Sequence, residues 1–203
     1  MKKITFYLFS CLVMSAMIFT GCSKGGEGDA SATKAKAKKG KEVINTTEIE
    51  WISFEEAQEK MKDNPKKIFV DVYTYWCGPC KKMNQNTFTH PGIIKYVNQN
   101  YYPVKFNAQH ETQVTYNGNP YANPTYDHNK GQYRRNGVHQ LSIAMGVRAY
   151  PTLVFIDENL NKIQGVPGYK TPQQLEPMLA YFAGEDYKKT QWESFQAGFV
   201  SSL

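Results

Sequence analysis

Ile68-Phe69-Val70-Asp71-Val72-Tyr73 is a β-forming run that leads through Thr74 into Trp76-Cys77-Gly78-Pro79-Cys80-Lys81-Lys82-Met83. Branched and aromatic residues at this density read as a strand. The residues after Cys77 read as a helix, because Pro79 suits a first turn, where its missing N–H costs nothing. The chain thus passes from strand to helix within a few residues, with a Cys-x-x-Cys pair at the junction. Junctions of this kind belong to architectures in which strands and helices alternate.

The rest of the sequence extends that alternation. Folded chain begins near Val43. Ser53-Phe54-Glu55-Glu56 has capping-box spacing and predicts a helix to about Asp63, with Phe54, Ala57, Met61 and the stem of Lys60 on one face. Asn64-Pro65 stops it. His90-Pro91 interrupts the helix that opens at the cysteines, and Ile93, Ile94, Tyr96 and Val97 mark a second helical piece. Residues 101–107 read as a strand. Residues 109–137, rich in Asn, Gly and Tyr, are too long for an ordinary connection. Their Tyr116, Tyr121, Tyr126 and Tyr133, with Arg134 and Arg135, form either a docking surface or a loop packed on itself. A short helix is expected over 139–145, a strand over 152–156 and its hairpin partner over 162–166. Thr171-Pro172 opens a helix to about Phe182. In the tail over 186–203, Trp192, Phe195 and Phe199 recur at helical spacing, a stripe that packs on the domain or meets a partner or membrane. The fold class is α/β.

Composition narrows the class. A chain of 203 residues, 41% hydrophobic, supports one packed domain with extensions and excludes a disordered chain. Four cysteines are too few for a disulfide-stapled scaffold. No apolar run reaches the ~18–20 residues of a membrane-spanning helix. The net charge of +6 is accompanied by no basic recognition motif, so nucleic acid is not an expected partner. Lys2 and Lys3 precede residues 4–19, of which 13 of 16 are apolar, and Thr20-Gly21-Cys22 follows. This is the pattern of an export signal. The cysteine after Gly21 resembles the lipobox of bacterial lipoproteins, with Phe19 where Leu is usual. The expectation is a signal peptide over 1–21, lipidation of Cys22 and a membrane anchor. Ordinary cleavage and an uncleaved anchor are the alternatives. Residues 23–42 carry six Lys and four Gly, with Ala as the sole aliphatic residue, and read as a flexible tether. The folded domain is then 43–203.

With residues 1–21 removed and Cys22 lipidated, Cys77 and Cys80 remain as the thiols, in a compartment that permits disulfides. Their spacing puts both sulfurs within one helical turn. Cys77 meets the unsatisfied N–H groups and positive end of the helix, which favour its thiolate, and is expected to be the exposed nucleophile. Cys80 is expected to resolve the mixed disulfide. A zinc site needs four ligands, and there is no second cysteine pair and no close His pair. His90, His110, His128 and His139 show no ligand spacing and read as surface or loop residues, so no metal is expected. An inert disulfide across two residues would constrain little.

The stretch Phe69-Val70-Asp71-Val72-Tyr73-Thr74-Tyr75-Trp76-Cys77-Gly78-Pro79-Cys80-Lys81 resembles the active-site strand and helix of the thioredoxin family. Gly146-Val147-Arg148-Ala149-Tyr150-Pro151-Thr152-Leu153 resembles that family's cis-proline segment. Lys82-Met83, Thr87-Phe88 and Pro91 are similar to periplasmic modules such as the C-terminal domain of DsbD. The resemblance covers roughly residues 43–183. It implies a thioredoxin fold, a central mixed sheet flanked by helices, with 109–137 as an insertion after the third strand. The characteristic insert of haem-maturation relatives lies elsewhere in the fold.

The resemblance also assigns roles. Asp71 falls where the family keeps a buried acid, whose raised pKa suits it as general base for Cys80. A solvated strand-end Asp is the alternative. Lys105 falls where the family has a lysine near that acid, with a solvated strand lysine as the alternative. Pro151 is expected to be cis. With Tyr150, Trp76, Gly78 and Pro79 it is expected to shape the substrate groove, and Tyr150 departs from the aliphatic residue common before that proline. The implied activity is extracytoplasmic thiol–disulfide exchange, in the reducing direction because Gly78-Pro79 is the thioredoxin dipeptide. The expected partners are disulfide-containing proteins and a DsbD-type membrane electron donor, since no cofactor site is visible. The rival readings are a disulfide-forming oxidase of the same fold and a binding module that uses the insertion. The expected location is the cell envelope, facing the periplasm, with Ser23 after Cys22 pointing to outer-membrane sorting.

Overall fold

The computed structural model describes residues 45–203, within a compact unit spanning Glu42–Leu203. The export signal, Cys22 and the tether lie outside the described residues. Among the described residues no helix is long and apolar enough to cross a membrane.

Helix α1 (Phe54–Asp63) starts where Ser53 accepts the Glu56 N–H at 3.0 Å, and it buries Phe54, Ala57 and Met61. Lys60 stays exposed and pairs with Glu56 instead of laying its stem on that face. Strand β1 (Ile68–Tyr73), helices α2 (Gly78–Asn86) and α3 (Pro91–Asn100), and strand β2 (Tyr102–Asn107) follow. His90 caps α3 by accepting the Gly92 N–H, which places the interruption where His90-Pro91 predicts it. Helix α4 (Gln140–Ala144), strands β5 (Thr152–Ile156) and β6 (Lys162–Pro167), and helix α5 (Pro172–Ala183) complete the frame. Thr171 and Gln174 form a reciprocal capping box at the start of α5.

The main sheet has the order β2-β1-β5-β6. β1 and β2 are parallel, while β1–β5 and β5–β6 are antiparallel, so the sheet is mixed. Ahead of α1, where the insertion's place after a third strand implies a first strand, the described residues hold one bridge, Ile52 to Val104. The segment before it spends its backbone groups on a side chain instead of a ladder. Asn98 accepts the Glu50 N–H and donates to the carbonyls of Asn45 and Glu48.

Strand periodicity of two divides β1 between two cores. Ile68, Val70 and Val72 face α1 and α4 and pack with Phe54, Phe106 and Leu141. Phe69 faces the opposite side and packs with Met83 of α2, Ile93 of α3 and Leu175 of α5. Asp71 shares the Phe69 side and therefore lies beneath the layer that carries the cysteines.

The segment 109–137 contains structure that its composition hides. Strands β3 (Val114–Tyr116) and β4 (Asn119–Tyr121) form a hairpin across Asn117-Gly118, both at positive φ (49° and 73°). Asn-Gly with two left-handed residues is the favoured two-residue hairpin turn. Tyr116 and Tyr121 pack against the α1 side of the core, and the Tyr116 hydroxyl donates to the Leu160 carbonyl at 2.7 Å. Asn123, buried, ties the segment together by donating to the carbonyls of His110 and Gly137.

Past α5, a 3₁₀ turn (Asp186–Lys188) leads to α6 (Trp192–Gly198). Trp192 and Phe195 meet the Tyr181 ring at 5.3 and 5.0 Å, so two of the three stripe residues pack on the domain, and the Phe199 ring lies tilted against Phe195.

Candidate active site

Cys77 is the N-cap of α2 and is joined to Cys80 by a disulfide. Two features of the sequence place it there. Thr74 closes the end of β1 by accepting the Cys77 N–H at 3.2 Å, and Pro79 sits in the first turn of α2. The Cys77 sulfur also accepts the Cys80 N–H at 3.1 Å, which satisfies one free donor of the helix start. The first turn of α2 holds no acidic side chain. A negative charge on the Cys77 sulfur would therefore meet the helix N-terminus without local opposition.

The expectation that Cys77 is exposed is not met in this oxidised state. It is 2% exposed and Cys80 3%. The bond to Cys80 and the hydrogen bond from its N–H turn the sulfur in toward the helix. Gly78 and Pro79, by contrast, are exposed. A Cβ built on Gly78 would meet nothing within 4 Å, so this glycine is not required by close packing.

Asp71 is 1% exposed, between Lys105 of β2 and Leu153 of β5 in register. One carboxyl oxygen has no hydrogen-bond partner among the described residues. The other lies 3.9 Å from the Lys105 ammonium. Burial raises the pKa of Asp71 from 3.8 to about 7, and the Lys105 charge only partly opposes the shift. Burial lowers the pKa of Lys105, against the pull of Asp71. Lys105 also donates to the Asn84 side chain on α2 and lies over the rings of Trp51, Tyr73 and Phe88.

The Tyr150–Pro151 peptide is cis. Tyr150 is half-buried, and its ring meets Trp76 edge-on at 5.8 Å. Trp76 is half-buried and held on two sides. Its Nε1–H donates to Gln109 at 2.7 Å, and the Arg135 guanidinium sits 4.6 Å over its ring. Gln109 in turn donates to the Asn136 carbonyl at 2.6 Å. The insertion therefore divides. Its hairpin belongs to the core, and its later half, residues 130–136, is tied to the tryptophan beside the disulfide. Tyr133, 61% exposed, continues this contact against Tyr75.

The sequence reading thus places Cys77, Cys80, Trp76, Gly78, Pro79, Tyr150 and Pro151 around one end of α2, with Asp71 and Lys105 paired beneath. It misses Gln109 and Asn84, which carry no motif and act through distant partners. It also misassigns His139, which is fully buried: Nδ1 accepts the Leu141 N–H as the cap of α4, and Nε2 meets the Thr112 carbonyl at 3.2 Å. Burial lowers its pKa.

The fold is shared with a solved structure. A thioredoxin-fold protein from Helicobacter pylori superposes with a TM-score of 0.50 at 15% identity, over 66% of this chain and 84% of its own. The C-terminal domain of Neisseria meningitidis DsbD, oxidised, gives a TM-score of 0.42 at 14% identity, over 68% of this chain and 91% of its own. In sequence, an uncharacterized protein of Archaeoglobus fulgidus is 28% identical over 61 residues, 30% of this chain and 48% of that protein. The chain thus spans about half the length of the curated relative it matches. The profile of the thioredoxin-like domain matches residues 54–183, which include the cysteine pair, the buried acid and the cis-proline. With the mixed sheet and the disulfide at the start of α2, this match establishes that the chain belongs to the thioredoxin-like family.

Proposed function

We propose that the protein is an extracytoplasmic thiol–disulfide oxidoreductase that reduces protein disulfides through Cys77 and Cys80. The observation that carries the reading is the disulfide at the N-terminus of α2, on the sheet face where Asp71 is buried with one oxygen unpartnered. A group with a pKa near 7 in that position can exchange a proton at working pH.

In the reduced protein, the Cys77 thiolate attacks one sulfur of a substrate disulfide. That S–S bond breaks, a Cys77–substrate disulfide forms, and the departing substrate sulfur takes a proton. Cys80 gives its proton to ionised Asp71 and attacks the Cys77 sulfur. The mixed disulfide breaks, the second substrate sulfur leaves and is protonated, and Cys77–Cys80 is oxidised. The substrate gains two electrons and two protons. A membrane dithiol partner of DsbD type returns the pair to the reduced state. Export and lipidation at Cys22 would hold the domain in the envelope, facing the periplasm, in the outer membrane if Ser23 sorts it there. This part of the reading rests on residues 1–42 of the sequence.

The test is the reduction potential of the pair together with the Cys77→Ser variant. A value near the about −270 mV of thioredoxin supports a reductase, and one near about −120 mV reverses the direction to disulfide donation. Cys77→Ser should abolish disulfide reduction. Retained turnover would rule out this mechanism.

A further inference from the structure

The later half of the insertion supplies charge at the site as well as support for Trp76. On one side of the Trp76–Arg135 pair is a groove of about 520 Å³ lined by Tyr133 and Arg134. On the other is a groove of about 570 Å³ that runs along Val138, Ile143, Val147 and Tyr150, with Arg148 on its wall. Ile143 is 62% exposed there, an apolar side chain beside the cis-proline segment. No Asp or Glu lines either groove. Among the described residues, Arg134, Arg135 and Arg148 have no carboxylate within ion-pair distance. All three are exposed. Lys81, one residue past Cys80, lies over the Tyr133 ring and adds a fourth unpaired cation.

Unpaired like charges on two grooves that share Trp76 and Arg135 repel one another and raise the local potential, so they favour an anionic partner. A guanidinium stacked on a tryptophan still presents its edge for bidentate pairing with a carboxylate. We infer that residues 130–136, with Arg148, select the substrate: an acidic polypeptide segment that carries a carboxylate next to its cysteine and an apolar side chain on the other side. The carboxylate meets Arg135 or Arg148, and the apolar side chain enters the Ile143–Val147 groove. This inference rests on the oxidoreductase reading above and adds substrate class to it.

The test uses the full-length protein in detergent, reduced beforehand, and three oxidised two-cysteine peptides. The peptides are identical except for Asp-Glu, Asn-Gln or Lys-Lys beside the reactive cysteine. The second-order rate of peptide reduction is followed by thiol trapping and mass spectrometry. At low salt the acidic peptide should react about tenfold faster than the neutral one, the lower end of electrostatic steering. The basic peptide should be slowest. The ratio should fall toward one in high salt and in the Arg135→Gln/Arg148→Gln double variant, with partial recovery in Arg135→Lys. Equal rates for the acidic and neutral peptides overturn the inference and leave the oxidoreductase reading standing. A ratio that survives in the double variant overturns it too, because other groups would then read the charge. If none of the peptides is reduced, the oxidoreductase reading falls and this inference falls with it.

Discussion

Asp71 and Glu176 are equally buried, each 1% exposed, yet their carboxyls are in opposite states. Glu176, on α5, accepts the hydroxyl of Ser201 and both the N–H and hydroxyl of Ser202. Burial pushes its pKa up, but those donors and the charge of His90 outweigh burial and hold it below the usual carboxylate value. Asp71 has one oxygen with no donor and a lysine at 3.9 Å, beyond hydrogen-bond length, so burial wins and its pKa rises to about 7. The chain end rebuilds the hydration shell of one acid, while the other is left short. Burial alone therefore does not mark a reactive acid. What marks it is burial without donors, which leaves the proton free to move near neutral pH.

The largest break in this comparison comes from removing Asp71. Its unfolded pKa is 3.8 and its folded value about 7. Between these values the native state holds a proton that the unfolded state has lost, so stability falls as pH rises through that window and levels off above it. A shift of this size corresponds to a loss on the order of 4 kcal/mol at pH 8 relative to pH 3. Asp71→Leu should remove that pH dependence and raise stability at pH 8 by about 2–4 kcal/mol, read from urea midpoints. The same variant should slow resolution of a trapped mixed disulfide by about 10²-fold. A variant that is neither more stable at pH 8 nor slower would mean that Asp71 ionises normally.

Glu176 should respond with the opposite sign. Its folded pKa is depressed, so its contribution is present above about 4.5 and is lost as pH falls through the folded value. Glu176→Gln turns an acceptor toward three donors into an amide that can accept with only one oxygen. It should cost about 1–3 kcal/mol at pH 7 and flatten the acid limb of the stability curve. Exchange activity should fall little, since Glu176 lies outside the disulfide region. An unchanged acid limb would show that the Ser201–Ser202 contacts do not form in solution.

The two acids also differ in how far the sequence reveals them. Asp71 stands between Val70 and Val72 in a strand, where an acid has no packing reason, and Lys105 as its partner is implied only by the resemblance to the thioredoxin family. Glu176 reads as an ordinary helix residue because its partners lie 25 and 26 residues away at the chain end. The same rule separates the other successes and misses. The strand, the helix starts at Ser53 and Thr171, and the cis-proline are encoded within a few residues. The ties from Gln109 to Trp76 and from Asn84 to Lys105 span 33 and 21 residues and carry no local pattern. The reduction of the first strand to one bridge depends on Asn98, some 50 residues away from the backbone it holds. The β3–β4 hairpin is missed although Asn117-Gly118 is a strong turn signal, because the long irregular composition around it masks the two short strands.

Lys105 offers the smallest and most selective perturbation. Among the described residues, its charge is the one influence that lowers the pKa of Asp71. Lys105→Met keeps a stem of similar length against Trp51, Tyr73 and Phe88 while removing that charge. The Asp71 titration should then move upward by about one unit, the low end for an opposite charge at this distance. Carboxyl NMR of the wild type and variant measures the shift directly. The stability window should widen to higher pH by the same amount, and the resolving step should need higher pH to reach its plateau. An Asp71 titration that stays in place would mean that the Lys105 proton is carried toward Asn84 and solvent. Burial would then raise the Asp71 pKa unopposed, and the pairing would have no part in tuning it.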